Sequence, residues 1–288
     1  MNIGLIGCGN MGGGMAAHLL DLKQQVTCFD ADANNLAKVA AIGALIAGSA
    51  KALAAQCDFI ILSLPKAAIV DAVMLEISSS IKPGTIVLDT STSEPETTKA
   101  LATKAQACGF FFLDTPVSGG PIAARSGAMT MLIGGDASAI EKARALLDML
   151  GAKIVLVGPS GAGHAAKIAN NMLCAANLVL VGEVIRLGEA VGVSATDLLE
   201  GINAGSGRSG VSEVNFPKWV LNEAFDSGFT MGLMRKDVNL GVDLAQKSGV
   251  VLNGFQAISK VWADSIDEIS DAADFNEITK YTGQTHEQ

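Results

Sequence analysis

The chain has 288 residues, 49% of them hydrophobic and 17% charged, which supplies a substantial core and argues against disorder and coiled coil. Lys and Arg number 20 against 29 Asp and Glu, a net charge of -9 with no basic run, so nucleic acid and anionic membrane surfaces are poor partners. Five irregularly spaced cysteines without a C-x-x-C read as reduced thiols, and three dispersed histidines offer no metal cluster. The first basic residue is Lys23, so the N-terminus lacks the start of a signal peptide and a cytoplasmic protein is expected. The most apolar stretch, Met172 to Gly182, is too short for a bilayer span and is followed by Glu183 and Arg186, which favours a buried core helix.

Taken in chain order, short apolar runs at Asn2–Ile6, Val26–Phe29, Phe59–Leu64, Thr85–Leu88, Phe110–Leu113, Met129–Ile133 and Ile154–Val157 read as strands. Most are continuous apolar runs, the pattern of a sheet covered on both faces. Helical stretches lie between them. Ser49 is placed to cap a helix through Ala55, and Ser93 with Glu96 reads as a capping box with Pro95 in its first turn. This alternation predicts an α/β, doubly wound, largely parallel sheet. After Gly161-Ala162-Gly163 a helical pattern runs towards Gly192, and from there to Tyr281 only helices and turns follow. Gly205 to Gly210 reads as a loop, Phe216-Pro217 as a further break, and Gly283 to Gln288 as a frayed tail. Two domains are expected, a dinucleotide-binding domain over 1–162 and an all-α domain over 163–288.

The opening Gly7-Cys8-Gly9-Asn10-Met11-Gly12 is a G-x-G-x-x-G that follows a strand and begins a helix. Alone the triplet is weak; this context gives each glycine a task. Gly7 permits the tight turn, Gly9 lets backbone approach a pyrophosphate, and Gly12 lets helix and strand pack closely. The helix N-terminus turns amides and a positive dipole end towards the phosphates. Asp30 closes the second strand, where a carboxylate accepts from ribose hydroxyls and repels a 2′-phosphate. That favours NAD over NADP, although a strand-end acid in solvent would look the same.

Asp89-Thr90-Ser91-Thr92 and Asp114-Thr115-Pro116-Val117-Ser118-Gly119-Gly120 both follow strands, and so fall where open α/β sheets bind ligands. Ser118-Gly119-Gly120 offers a hydroxyl and unhindered amides to a carboxylate, though such a triplet is most often a flexible turn. Lys167 and Asn171, four apart, share one face of an apolar helix. Spacing alone leaves two readings of Lys167 open: a lysine snorkelling at a domain junction, or a desolvated proton donor and acceptor.

Together these segments resemble the β-hydroxyacid dehydrogenase family, which contains 3-hydroxyisobutyrate dehydrogenase and tartronate semialdehyde reductase. The likeness rests on Gly7-x-Gly9-x-Met11-Gly12, Asp89-Thr90-Ser91-Thr92, Asp114-Thr115-Pro116-Val117-Ser118-Gly119-Gly120, Gly163-x-x-x-Lys167-x-x-Asn170-Asn171 and Lys236-Asp237, in the family's order. It implies a Rossmann-type domain, an all-helical domain joining subunits into a dimer or tetramer, and NAD-dependent oxidation of a small 3-hydroxy acid or reduction of its semialdehyde. It implies Lys167 as acid/base, Ser118, Gly119, Gly120 and Asn171 on the substrate, and Leu64, Pro65, Thr92 and Lys236 beside the glycine loop on the cofactor. No metal is implied.

The family often has a polar residue shortly after the Leu64-Pro65 pair; here Ala67, Ala68 and Ile69 follow. Arg125 and Ser206-Gly207-Arg208 resemble the hydroxyisobutyrate branch more than the tartronate branch. A tartronate semialdehyde reductase and a non-catalytic cofactor-binding scaffold stand as alternatives, and Lys167 counts against the second.

Overall fold

The computed structural model describes residues 1–283; the frayed-tail expectation falls, beyond Gly283, outside them. The chain forms two compact units, Met1–Lys167 and the part from Ile168 onward.

The first unit is built on nine strands: β1 (Ile3–Ile6), β2 (Val26–Phe29), β3 (Leu45–Ile46), β4 (Phe59–Leu62), β5 (Ile86–Asp89), β6 (Phe111–Asp114), β7 (Val117–Ser118), β8 (Met129–Gly134) and β9 (Gly151–Gly158). Six of them run parallel in the order β3-β2-β1-β4-β5-β6, the order of a doubly wound dinucleotide-binding sheet. β8 joins β6 and β7 antiparallel, and β9 joins β8 parallel. Continuous apolar strands are explained by their neighbours. Leu5 and Leu113 enter one core with Met15, Leu19 and Leu147, while Ile6 and Phe112 enter the opposite core with Leu53, Met74 and Ile60. Each strand therefore needs apolar residues at both parities.

The helices of this unit are α1 (Asn10–Asp21), α2 (Ala33–Ala41), α3 (Ala50–Ala54), α4 (Ala67–Ile77), α5 (Pro95–Ala107), α6 (Gly120–Ser126) and α7 (Ala137–Leu150). Ser49 caps α3 as expected, accepting from Ala52 N at 3.1 Å. The capping box expected at Ser93 does not form. Glu94 is the N-cap of α5, because the Ser93 hydroxyl donates instead to Asp89 Oδ2 at 3.3 Å and Glu96 pairs with Lys99. Pro95 does sit in the first turn. The short strands β3 and β7 carried no alternation to reveal them, and the run at Phe59–Leu64 leaves the sheet after Leu62.

α8 (Ala162–Ala190) starts in the first unit and continues into the second. By length and composition it is apolar enough to cross a membrane; one side packs Ala175, Leu178, Val179 and Ile185 into the core of the second unit. That unit adds α9 (Ala195–Ala204), α10 (Met231–Lys247), α11 (Asn253–Asp264) and short 3-10 turns. Trp262 anchors its core, fully buried, with the indole N–H donating to Ala175 O at 3.2 Å. Phe216-Pro217 is not a break. Both residues lie inside a π-helical segment, Val211–Val220, whose longer hydrogen-bonded turn accommodates a residue without an N–H. Arg235 is buried, its guanidinium donating to Asp271, Ser265 and the carbonyls of Trp262 and Ile269.

Candidate active site

Because β1 to β6 run parallel, the turns that follow them gather at one edge of the sheet. β1 and β4 are neighbours while their sequence partners lie on opposite sides, so the crevice opens above them. The glycine loop fills it. Gly7 has φ +93°, and a Cβ there would strike the Ser63 carbonyl and Leu64. A Cβ on Gly12 would overlap the Gly7 carbonyl oxygen. Gly9 differs: nothing stands within 4 Å of where its Cβ would be. Gly9 also gives α1 no side-chain cap. An uncapped helix start facing open space is what a pyrophosphate requires. Asn10 and Met11 form the first turn, with Asn10 exposed and Met11 half-buried.

Asp30 borders this loop. Its Oδ2 accepts from Cys8 N at 2.6 Å and its Oδ1 from Asp32 N at 2.8 Å, while Gly7 N donates to Phe29 O at 3.0 Å. The carboxylate is thus fixed at the loop's mouth. Cys8 and Cys28 lie below it, both buried. The Cys8 thiol is pushed far above its usual range, chiefly by its hydrogen bond with Cys28 and then by burial. Cys57 is pushed up to about 11 by burial. Both thiols are therefore inert packing groups.

Beyond β4, Leu64 N donates to Ser91 Oγ at 3.0 Å, and exposed Pro65 follows. Beyond β5, Asp89 is fully buried; its Oδ1 accepts from Ser91 N at 3.0 Å. Thr90 Oγ1 donates to Leu62 O at 2.7 Å, and half-buried Thr92 sits between Ser91 and Ser93. Beyond β6, the Ser118-Gly119-Gly120 turn has two left-handed residues, Gly119 at φ +117° and Gly120 at φ +68°. A Cβ on Gly119 would come within 2.6 Å of Ala123. The turn leads into α6 with no side-chain cap, leaving its amides to a ligand or solvent.

Asp114 is fully buried and accepts from Gly161 N at 2.9 Å and His164 N at 3.1 Å. It is the acidic cap of α8. The approach is so close that a Cβ on Gly163 would meet Leu132 O, Asp114 O and Asp114 Oδ2 within 3 Å. One turn on comes Lys167, 8% exposed. Asn171, 4% exposed, follows on the same helix face.

In the second unit, Asn171 Nδ2 donates to Asp237 Oδ2 at 2.5 Å, and Asn171 Oδ1 accepts from Asn170 at 3.1 Å. Lys236 Nζ stands 3.0 Å from Asp237 Oδ1. The contact is an ion pair, not a well-directed hydrogen bond, so Oδ1 keeps unused accepting capacity at 1% exposure. Asp237 thus fixes which end of the Asn171 amide points away from it. The sequence showed Asp237 only as the neighbour of Lys236; its role is visible once α8 and α10 are seen to pack within this unit.

Arg125 is not part of this constellation. Its guanidinium pairs at 2.5 Å with Asp21, an exposed contact at the end of α1 away from the glycine loop.

The sheet order, the glycine cradle and the strand-end carboxylate define a nicotinamide-dinucleotide-binding oxidoreductase. Residues 2–158 match the family model for the NAD binding domain of 6-phosphogluconate dehydrogenase, and residues 161–282 that for the NAD-binding domain of NADP-dependent 3-hydroxyisobutyrate dehydrogenase. The chain is 36% identical over 255 residues to 2-(hydroxymethyl)glutarate dehydrogenase of Eubacterium barkeri, covering 88% of this chain and 85% of that protein. It is 37% identical over 256 residues to an NAD-dependent L-serine dehydrogenase of Pseudomonas aeruginosa, covering 85% and 86%. The Mycobacterium tuberculosis 3-hydroxyisobutyrate dehydrogenase, solved with L-serine, superposes with a TM-score of 0.91 at 29% identity, over 97% of this chain and 98% of that one. The chain belongs to the β-hydroxyacid dehydrogenase family and is an NAD(P)-binding enzyme acting on CH–OH.

Proposed function

We propose that this enzyme oxidises a small 3-hydroxy carboxylic acid to its semialdehyde, or runs the reverse reaction, with NAD and with Lys167 as general acid/base. The observation that carries the reading is a lysine 8% exposed, sharing a helix face with a buried amide, in a chain whose glycine loop is built to take a dinucleotide. The nicotinamide supplies the hydride acceptor when bound. The chain's own residues do the rest. Gly7, Gly9, Asn10, Met11 and Gly12 receive the phosphates, Asp30 the ribose, and Leu64, Pro65, Thr92 and Lys236 the remainder of the cofactor. Ser118 with the Gly119 and Gly120 amides holds the substrate carboxylate. Lys167 takes the hydroxyl proton, and Asn171, oriented by Asp237, steadies the reacting oxygen. In this reading the dinucleotide-binding domain over 1–162 also brings the Ser118 turn to the substrate, and the domain over 163–288 brings Lys167 and Asn171 to the substrate, Lys236 to the cofactor, and the assembly surface.

The relatives' names support the substrate class. 3-Hydroxyisobutyrate, L-serine and 2-(hydroxymethyl)glutarate share a primary alcohol one carbon removed from the carbon bearing a carboxylate. 3-Hydroxyisobutyrate is our first choice. Arg125 no longer supports it, since Asp21 engages that side chain; Ser206-Gly207-Arg208 still does. The test is a panel of 3-hydroxy acids with NAD, read by NADH absorbance. We expect turnover of acids and a severe loss in kcat/KM for their methyl esters. Equal turnover of esters or simple alcohols would refute the carboxylate site.

A homodimer or homotetramer forms part of the same reading. Leu173, Leu180, Val184 and Leu187 are exposed along one side of α8, opposite the residues buried in its own unit. An apolar stripe on both sides of a helix calls for a second cover, and another copy of the chain presents a matching stripe. Leu180→Asp with Leu187→Asp should lower the sedimenting mass. A wild-type monomer at micromolar concentration would reject the assembly.

A further inference from the structure

We propose that His164 is a positioning residue, a buried imidazole that ties the cofactor-side loop Ser91–Ser93 to the first turn of the helix carrying Lys167. The inference rests on the acid/base reading of Lys167 and goes beyond it, since no part of that reading needs a histidine here.

The imidazole is fully buried and uses both ring nitrogens. Nε2 lies 3.1 Å from Ser91 O and 3.8 Å from Asp89 Oδ2. Both are acceptors, so this nitrogen carries a proton and donates to the Ser91 carbonyl. Nδ1 lies 2.7 Å from Thr98 Oγ1 on α5. In the neutral ring Nδ1 accepts, and the Thr98 hydroxyl points its single proton at it. The Glu94 carbonyl, 3.2 Å from the same hydroxyl, is then left without that proton. Burial without a partner on either nitrogen would be costly, so the two bonds fix the ring's rotation and its tautomer together.

The chain of contacts continues on both sides. Ser91, whose carbonyl receives the imidazole N–H, also accepts Leu64 N through its hydroxyl and gives its own N–H to Asp89. One residue therefore links the turn after β4, the turn after β5 and the start of α8. On the other side, His164 N is held by Asp114, the end of β6. Lys167 follows three residues later, nearly one helical turn on. Any rotation of the first turn of α8 that moved the Lys167 amine would drag the imidazole off Ser91 O. A shift of the Ser91–Ser93 loop would likewise be felt at Lys167. A packing residue of the same size would fill the space without this coupling.

The two nitrogens can be separated by substitution. In His164→Gln the amide N–H₂ reaches the position of Nε2 and can still donate to Ser91 O. In His164→Asn the shorter amide falls at the position of Nδ1, so it keeps Thr98 and loses Ser91. We expect His164→Gln to stay within about threefold of wild type in kcat and in NADH dissociation constant. His164→Asn should lose about tenfold or more in kcat and weaken NADH binding, the scale of one buried group left unpaired. Thr98→Val removes only the hydroxyl and serves if the Asn variant does not fold. It leaves Nδ1 buried without its donor and the ring held from the Ser91 side alone, and it should lower kcat by about threefold to tenfold. Gln and Asn variants with equal kcat and equal NADH affinity would overturn the proposal. So would losses confined to Tm, or a Thr98→Val enzyme of unchanged kcat. Lys167→Ala run alongside separates the two ideas: if it stays active, the acid/base reading fails, whereas inert Lys167→Ala beside a fully active His164→Asn sinks only the positioning role.

Discussion

The sheet unit and the helical unit set their functional residues in different ways. In Met1–Lys167, apart from Lys167 on α8, the groups that matter stand in turns after strands, and backbone geometry holds them: left-handed Gly7, Gly119 and Gly120, the uncapped start of α1, and the Asp114 carboxylate on the first amides of α8. From Ile168 onward the functional groups are lone side chains on helices, and other side chains hold them, as Asp237 holds Asn171. Strand-end loops are fixed by a sheet that would have to unravel to move them. A helix surface fixes only direction, so an amide there needs a partner to choose its orientation.

The largest effect should come from Lys167, in the second turn of α8. Lys167→Ala is expected to lower kcat by about 10² to 10⁴, the usual contribution of a general acid/base, while NADH binding by fluorescence stays near wild type. Lys167→Arg should fail as well, because a guanidinium does not give up its proton near neutral pH. Near-normal kcat in either variant would remove the acid/base role.

Next comes the side-chain partner in the helical unit. Asp237→Asn leaves a shape of the same size but can present an N–H₂ to the Asn171 amide, so the orientation of that amide is no longer imposed. We expect kcat to fall by about tenfold to a hundredfold, the equivalent of one charged hydrogen bond lost in the interior, with Tm changed far less than by a cavity. A variant equal to wild type in kcat would show that Asn171 needs no such partner, and the contrast between the two units would dissolve.

The cofactor preference tests the sheet unit in the same spirit. Asp30 accepts from the backbone amides of Cys8 and Asp32, so serine is the chosen replacement: its hydroxyl oxygen keeps an acceptor beside the loop while the charge is removed. Asp30→Ser with Ala31→Arg is expected to move kcat/KM from NAD towards NADP by about tenfold or more in the ratio, one charge contact exchanged for another. A wild type that prefers NADP, or a double variant with an unchanged ratio, would count against Asp30 as the discriminator.

What the sequence made legible follows the same division. The strands β1, β2 and β4 to β6 announce themselves because both their faces are buried, and the glycines because no other residue fits at Gly7 or Gly12. Lys167 and Asn171 are legible as a helical pair. Asp237 is not, because its meaning lies in a contact between α8 and α10, far apart in sequence. His164 is hidden for the same reason: as one of three scattered histidines it looks idle, and only the fold brings Thr98 and Ser91 to its two nitrogens. The capping box at Ser93 failed because one local contact displaced another: the buried Asp89 carboxylate, four residues back, takes the Ser93 hydroxyl. Arg125 misled because an exposed arginine finds whatever acid is near, here Asp21.

The smallest expected effect compares a serine cap in each unit. Ser49 gives α3 one bond, its hydroxyl oxygen accepting from Ala52 N at 3.1 Å. Ser194 gives α9 two: it accepts from Asp197 N at 3.2 Å and donates to Asp197 Oδ2 at 2.6 Å. An alanine at either position should cost about 0.5–2 kcal/mol. Ser194→Ala should cost more than Ser49→Ala, since it also frees a carboxylate that had been held over the helix N-terminus. Asp197 stays near the positive end of α9 in that variant, and this retained attraction keeps the difference to a few tenths of a kcal/mol, within the range of a surface helix-dipole contact. The two sites share no partner, so the double variant should equal the sum of the singles to within about 0.3–0.5 kcal/mol. Urea unfolding followed by circular dichroism measures all three. A Ser49→Ala loss larger than that of Ser194→Ala would show that the short α3, which packs buried Leu53 against Gly4 of the sheet, depends on its cap for more than one hydrogen bond.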